Sequence, residues 1–289
     1  MPFDFVEPPS LRDALGLLDP DDPAVRPIAG GTALMLLMKS GFFRPKRLVS
    51  LRAAGERLVT SRVGVGGALH IGAMVRLGAL ERSPEFRRDF PVIARTLRTL
   101  SNVRVRNVAT LGGHLAHADP HSDLPPVLIA LDAQLVLAGP RGERTVPVEG
   151  FATGLYETGC KGDELIVEAV IPALGGKCAA YAKCTTRSAD DWPALGLAVA
   201  WDVDGGAIKA PRIVLGAATE RPTRLKMAEA LIAGRALDDA LLKRAGEAAA
   251  EEAEVVGDMR GSVAYKKQLV KIYVARVLRD AQARGAVTP

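Results

Sequence analysis

Ala29-Gly30-Gly31-Thr32-Ala33-Leu34 and, further along, Thr110-Leu111-Gly112-Gly113-His114-Leu115 decide how this chain is read. Each glycine pair follows an apolar run and precedes a segment able to form a helix. Each is therefore read as a turn out of a strand whose backbone N–H groups lie open. Such a turn can cradle an anion, because without a Cβ the backbone comes close and several donors converge on the ligand. Two of them could hold the diphosphate of one dinucleotide from both sides. Glycine pairs also serve ordinary tight turns that need positive φ, and on these residues alone that structural reading stands beside the binding one. Neither stretch is Gly-x-Gly-x-x-Gly, the Rossmann fingerprint.

The 289 residues are 48% hydrophobic and 25% charged, an ordinary globular composition at a length that favours two domains over one. No apolar run is long enough for a membrane span. Met1-Pro2-Phe3-Asp4-Phe5 lacks the basic-then-apolar pattern of a secretory signal, so the expected location is the cytoplasm. The spacing of Cys160, Cys178 and Cys184 matches no zinc or iron–sulfur ligand run, and the chain is expected to carry neither metal nor cluster. The net charge of +5 is scattered and aromatic residues are only 4%, which argues against a nucleic-acid partner.

Along the chain, Ser10 caps a helix to Leu18, Val25 to Ile28 is a strand, Leu34 to Met38 a helix and Lys46 to Leu51 a strand. A strand at Val63 to Gly66 precedes a helix around Gly72 to Leu80, with His70 isolated before it in a structural role. Phe90 to Leu100 is helical, and Ser122-Asp123-Leu124-Pro125-Pro126 opens another helix. Strands are read at Gln134 to Leu137 and Glu164 to Ile171. Pro172 with Gly175-Gly176 marks a domain boundary. Beyond it, Cys178 to Thr185, Leu195 to Val203 and Ala207 to Ala217 read as antiparallel strands, the last two joined by Asp204-Gly205-Gly206. Helices follow at Arg224 to Ile232, Asp238 to Glu254 and Ser262 to Ala283. In the last of these, lysine and arginine stems can cover apolar surface.

Several motifs now fall in one order: Phe3-Asp4-Phe5-Val6-Glu7-Pro8, Ala29-Gly30-Gly31-Thr32, Arg106-Asn107-Val108-Ala109-Thr110-Leu111-Gly112-Gly113-His114-Leu115, Ser122-Asp123-Leu124-Pro125-Pro126, Tyr181-Ala182-Lys183 and Gly261-Ser262-Val263-Ala264-Tyr265. Over nearly the whole chain they resemble the FAD-binding medium subunit of the molybdenum hydroxylases, the family of xanthine dehydrogenase and aerobic carbon monoxide dehydrogenase. The resemblance implies an α+β fold. Residues 1–175 would form a two-subdomain FAD-binding domain of the vanillyl-alcohol oxidase-like type, with a small βαβ-like part over about 1–55 and a larger α+β part over about 56–175. Residues 176–289 would form a C-terminal flavoprotein domain with a three-stranded antiparallel sheet and a helical bundle.

The resemblance also implies a noncovalent FAD and a division of labour. A large subunit carries molybdopterin and substrate, a small subunit relays electrons through [2Fe–2S] clusters, and this chain passes them to an external acceptor with no catalytic residue of its own. By motif, Arg26, Pro27, Ile28, Ala29, Gly30, Gly31 and Thr32 line one side of the cofactor, and Gly30, Gly31 and Thr32 donate to its diphosphate. Thr110, Gly112, Gly113 and His114 close the other side, with His117 in contact or in support. Asp123 falls near the adenosine half, Leu165 and Ile166 on the strand against the isoalloxazine, Leu100 and Ser101 beside the ring, and Lys183 near the flavin. Two positions depart from the family pattern: His114 stands where asparagine is usual, and Leu100 where some relatives present an aromatic. A freestanding FAD-dependent reductase or oxidase, or a structural subunit that has lost the cofactor, are the alternative functions. His114, His117 and His121 with Asp119 and Asp123 could suggest a metal site, but their spacing follows no compact zinc scheme.

Overall fold

The computed structural model of the chain describes residues 2–285. It begins with β1 (Asp4–Val6), α1 (Leu11–Gly16), β2 (Val25–Ile28), α2 (Leu34–Lys39) and β3 (Arg47–Ser50), whose strands form a parallel sheet in the order β1-β3-β2. The Ser10 hydroxyl accepts from the Asp13 N–H at 3.1 Å and starts α1 as its sequence indicates. Ala14, Val25, Val49 and Leu51 pack on Val136, Ala138, Leu165 and Val167, so this small unit rests on the sheet that follows.

Next come α3 (Glu56–Val59), β4 (Ser61–Val63), β5 (Leu69–Gly72), α4 (Leu77–Arg82), α5 (Pro84–Asp89), α6 (Pro91–Thr99), α7 (Val103–Arg106), α8 (Leu111–His117) and α9 (Leu124–Ala130). Strands β6 (Gln134–Gly139), β7 (Gly142–Pro147), the short pair β8 (Ala152–Gly154) and β9 (Glu157–Thr158), and β10 (Leu165–Ile171) complete this part. The main sheet is antiparallel in the order β4-β5-β10-β6-β7.

The remainder contains β11 (Cys178–Cys184), β12 (Leu195–Asp204), β13 (Ala207–Gly216), β14 (Thr223–Arg224), α10 (Lys226–Ile232), α11 (Asp239–Glu252) and α12 (Val263–Gly285). Gly205 and Gly206 both take positive φ, at 56° and 86°, as the two-residue hairpin between β12 and β13 demands. Alternate residues of this sheet serve two cores. Leu195, Leu197, Val199 and Trp201 pack with Val270, Val274 and Leu278 of α12. Ala179, Ala198, Ala200 and Val214 join the large apolar cluster of the preceding part.

Three expectations are corrected. The C-terminal sheet has four strands, not three, because Thr223 and Arg224 pair with Leu215 and Val214. Two residues are too few to show alternation, and Arg224 was read into the following helix. The strand expected at Val63 to Gly66 ends at Val63, since Gly66 and Gly67 turn the chain with φ of 74° and 79°. His70 lies on β5 rather than before a helix, and its Nδ1 is 3.1 Å from Glu168, a buried carboxylate that also receives Arg57 and Arg62.

The stem of Lys266 goes inside rather than over the surface. It is 1% exposed, and its Nζ donates to the Ala217 carbonyl at 3.1 Å and meets Asp258 at 2.9 Å. Lys266→Ala leaves that carbonyl unpaired and is expected to cost about 3 kcal/mol of stability. Gln268→Ala on the exposed face should stay within about 0.5 kcal/mol, as ordinary surface changes do. Urea unfolding midpoints compare the two, and equal losses would contradict an inward anchoring role.

Candidate cofactor site

Strand β2 delivers the first glycine pair, and Gly31 turns the chain with φ of 69°. Among the described residues, no backbone carbonyl accepts from the N–H groups of 29–34. A row of unspent donors therefore runs along this turn, the arrangement a diphosphate requires. A Cβ on Gly30 would lie 2.2 Å from the Val108 carbonyl oxygen, so only glycine lets this turn approach the connection ahead of α8. Arg26 is exposed, while Pro27, Ile28 and Ala29 are partly covered.

The second pair differs from its sequence reading. Gly112 and Gly113 lie within α8 rather than in an open turn, and neither has positive φ. Their donors are spent: Leu111 N–H goes to Val75 O at 3.0 Å, Gly112 N–H to Ala73 O at 2.8 Å, and Gly113 N–H to the Thr110 hydroxyl at 3.2 Å. The two stretches do not act as equivalent cradles. Glycine is required at 112 because a Cβ would meet Ala73 at 2.5 Å, whereas at 113 one would crowd Thr110 Oγ1 at 3.0 Å and Ala29 at 3.4 Å. Thr110 keeps its hydroxyl proton for a further acceptor.

What α8 offers is His114. Its Nε2 is buried without a hydrogen-bond partner, and a buried polar atom left so is a costly vacancy for a ligand to answer. Burial pushes His114 down to about 4, with His117 adding to the effect and Asp119 opposing it, so the ring is neutral near neutral pH. The open donors, the glycine contact and the orphaned nitrogen together fit a diphosphate-bearing cofactor.

Asp123 and Lys183 are brought together. Lys183 Nζ is 3.0 Å from Asp123 Oδ2 and also donates to the carbonyls of Thr99 at 2.7 Å and Asp191 at 3.0 Å. The Tyr181 hydroxyl takes the other carboxylate oxygen at 2.5 Å. Burial pushes the Asp123 carboxyl up, opposed by the Lys183 charge and both hydrogen bonds. Burial beside Asp123 holds the Tyr181 phenol well above its usual range. The two residues read separately in the sequence thus meet one another at 3.0 Å. Leu165 and Ile166 are both buried, and as strand neighbours they enter different clusters. Leu100 is buried at the end of α6, and Ser101 follows it with φ of 53°.

Beyond α8, Ala118 takes left-handed φ and ends the helix. Asp119 then accepts from the His121 backbone N–H at 2.8 Å. The His121 ring spans two carboxylates, with Nδ1 at 3.2 Å from Asp119 and Nε2 at 3.0 Å from Asp258, and it stacks on Trp192. His117 packs against Tyr156 with ring centroids 5.0 Å apart. Of the histidines that suggested a metal site, His117 and His121 are ring and carboxylate partners in one network, while His114 stands apart with its Nε2 unpartnered. The reach of His121 to Asp258 had no local signal in the sequence.

The network sets a pH response. For His121, burial lowers the pKa but the hydrogen bonds to Asp119 and Asp258 outweigh it, giving a net rise. Its contribution to stability is complete below the ordinary value of 6.5 and is lost as pH rises through the raised folded value. His114 acts oppositely: its contribution is present above 6.5 and is lost as pH falls toward about 4. His117, also pushed down by burial, adds to that acid-side loss. Urea midpoints against pH should show a decline above neutrality for the native chain that His121→Asn abolishes, and an unchanged alkaline slope in the variant would refute the clamp.

Comparison with known proteins accords with this geometry. Residues 1–174 match the FAD binding domain in molybdopterin dehydrogenase, and residues 179–281 match the CO dehydrogenase flavoprotein C-terminal domain. The carbon monoxide dehydrogenase medium chain of Hydrogenophaga pseudoflava is 32% identical over 98% of both chains. The nicotine 6-hydroxylase medium subunit of Paenarthrobacter nicotinovorans is 30% identical over 97% of both. A solved structure of carbon monoxide dehydrogenase from H. pseudoflava, lacking the Mo-pyranopterin moiety, superposes with a TM-score of 0.93 at 34% identity over 98% of each chain. Quinoline 2-oxidoreductase from Pseudomonas putida 86 superposes at 0.90, with 31% identity over 98% of each chain. The chain belongs to the FAD-binding medium subunits of the molybdenum hydroxylase family, and its cofactor is FAD.

Proposed function

We propose that this chain is the electron-transfer flavoprotein of a multi-subunit molybdenum hydroxylase, receiving electrons from a [2Fe–2S] subunit and passing them to an external acceptor. A molybdopterin-containing large subunit would carry the substrate. The observation that carries the flavin part is the row of open N–H groups over 29–34, closed against Val108 by the Cβ-free contact of Gly30. The electron path is supported by relatives named as medium chains or FAD-binding subunits of dehydrogenases. Bound FAD supplies the ability to accept electrons one at a time and release them singly or as a pair. Residues 1–175 would hold it and 176–289 would brace it.

The chain's own groups have separable tasks in this reading. Arg26, Pro27, Ile28 and Ala29 lead the backbone to the cofactor, and Gly30, Gly31 and Thr32 donate to its diphosphate. The Thr110 hydroxyl and neutral His114 Nε2 serve the facing side, where Gly112 and Gly113 allow close packing and His117 supports the loop. Leu100 and Ser101, with Leu165 or Ile166, would border the ring and exclude water. Lys183, paired with Asp123, holds the turn beside it.

Acid denaturation should release intact FAD, identified by chromatography; FMN alone or a flavin that stays attached would refute a noncovalent dinucleotide. Gly30→Val should weaken FAD binding about a hundredfold, the scale of a displacement of about 1 Å in a preorganised site. Leu135→Val, a modest core change, should bind nearly as the native chain does. Fluorescence titration of the folded apoproteins makes that comparison, and equal affinities would remove the first turn from the site. Stopped-flow mixing of the FAD-loaded chain with a reduced [2Fe–2S] subunit should reduce the flavin only when the partner is present. Rapid oxidation of an organic substrate by this chain alone would instead favour a freestanding oxidase.

A further inference from the structure

Where α6 ends, three successive carbonyls turn to cations from other elements. Thr99 O accepts from Lys183 Nζ at 2.7 Å, while Leu100 O and Ser101 O accept from Arg106 Nη1 at 3.2 and 2.5 Å. The other side of the Arg106 fork is held by Glu81, with Nε at 2.7 Å from Oε2 and Nη2 at 3.4 Å from Oε1. The arginine side chain is 9% exposed. Between these holds Ser101 adopts φ of 53°, a left-handed conformation that a residue with a Cβ seldom takes. The N–H groups of Ser101 and Asn102 have no backbone acceptor among the described residues. Acceptors of this turn are therefore spent on protein cations while donors stay open.

We infer that Arg106, oriented by Glu81, is the positioning residue that fixes the Leu100–Ser101 turn so that it meets the flavin ring with hydrogen-bond donors only. The inference rests on the reading that this turn borders FAD. Arg106 does not touch the cofactor; it acts through the carbonyls it holds. Its geometry matters as much as its charge, because one planar fork must serve a carboxylate on one side and two carbonyls on the other, which a lysine ammonium cannot copy. Lys183 completes the set by taking the last carbonyl of α6, where a cation also complements the helix end.

The test uses the full chain reconstituted with FAD. Arg106→Lys and Arg106→Gln should both weaken FAD binding about tenfold, the scale of losing directed hydrogen bonds to a charged group. Both should change the visible circular dichroism of the bound flavin and shift its midpoint potential. Arg104→Lys, on the exposed side of the same helix, should leave all three readings at native values. Glu81→Gln keeps the arginine while loosening its fork, and should move the dichroism in the same direction by a smaller amount; it carries the test if the Arg106 variants do not fold. Native dichroism and potential in folded Arg106→Lys, or in Glu81→Gln where Arg106 variants fail to fold, would overturn the inference. A native chain that binds no FAD would overturn the flavin reading itself, an outcome distinct from FAD binding that is indifferent to Arg106.

Discussion

The buried pair between Asp123 and Lys183 ties the parts of the molecule together. Removing two charges from water costs several kcal/mol per ion, and the loss is recovered only if the remaining hydrogen-bonding capacity is also met. Here Lys183 reaches the carboxylate and two carbonyls, while Tyr181 meets the other carboxylate oxygen. Asp123 stands at the start of α9, Thr99 at the end of α6, and Lys183 on β11. One ammonium group therefore fixes the C-terminal sheet against two helices of the cofactor-binding part. It also locates the turn after α6 that the flavin reading places beside the ring.

Local chemistry was readable in the sequence, and distant pairing was not. Gly30-Gly31 was legible because a strand, a turn and the need for open donors are all encoded within a few residues. Gly112-Gly113 carries the same letters, yet the Gly112 donor is consumed by Ala73, which nothing nearby in the sequence announces, and the Gly113 donor by the Thr110 hydroxyl. Asp123 and Lys183 were each marked, but a separation of 60 residues hid that they meet. The same holds for His121 and Asp258, which lie 137 positions apart. Arg106 stood in the longest matching motif without its task being visible, since that task depends on Glu81 and on carbonyls exposed by a helix ending. The fourth strand of the last sheet was missed because two residues carry no periodicity.

Net charge and patterning also conceal how some cations are used. Lys183, Arg106 and Lys266 have side chains 6%, 9% and 1% exposed. Each has a carboxylate partner and each also gathers backbone carbonyls where the chain leaves regular structure. An unpaired buried carbonyl costs free energy much as a lost hydrogen bond does. The protein thus uses long cationic side chains as internal capping groups. A count of basic residues would have assigned all three to the surface.

The alternating faces of β11–β14 bear on how the protein is made. Because Ala179, Ala198, Ala200 and Val214 complete the large cluster built from the earlier half, that cluster stays open while the first 178 residues leave the ribosome. Chains commonly fold from the N-terminal side as they are synthesised, but this core closes only after β13 has emerged. During translation, the helices of that cluster therefore present apolar surface until the last sheet arrives to cover it. Closure of the first domain's core is thus coupled to arrival of the last sheet, so the two halves of the chain are made in one order but completed together.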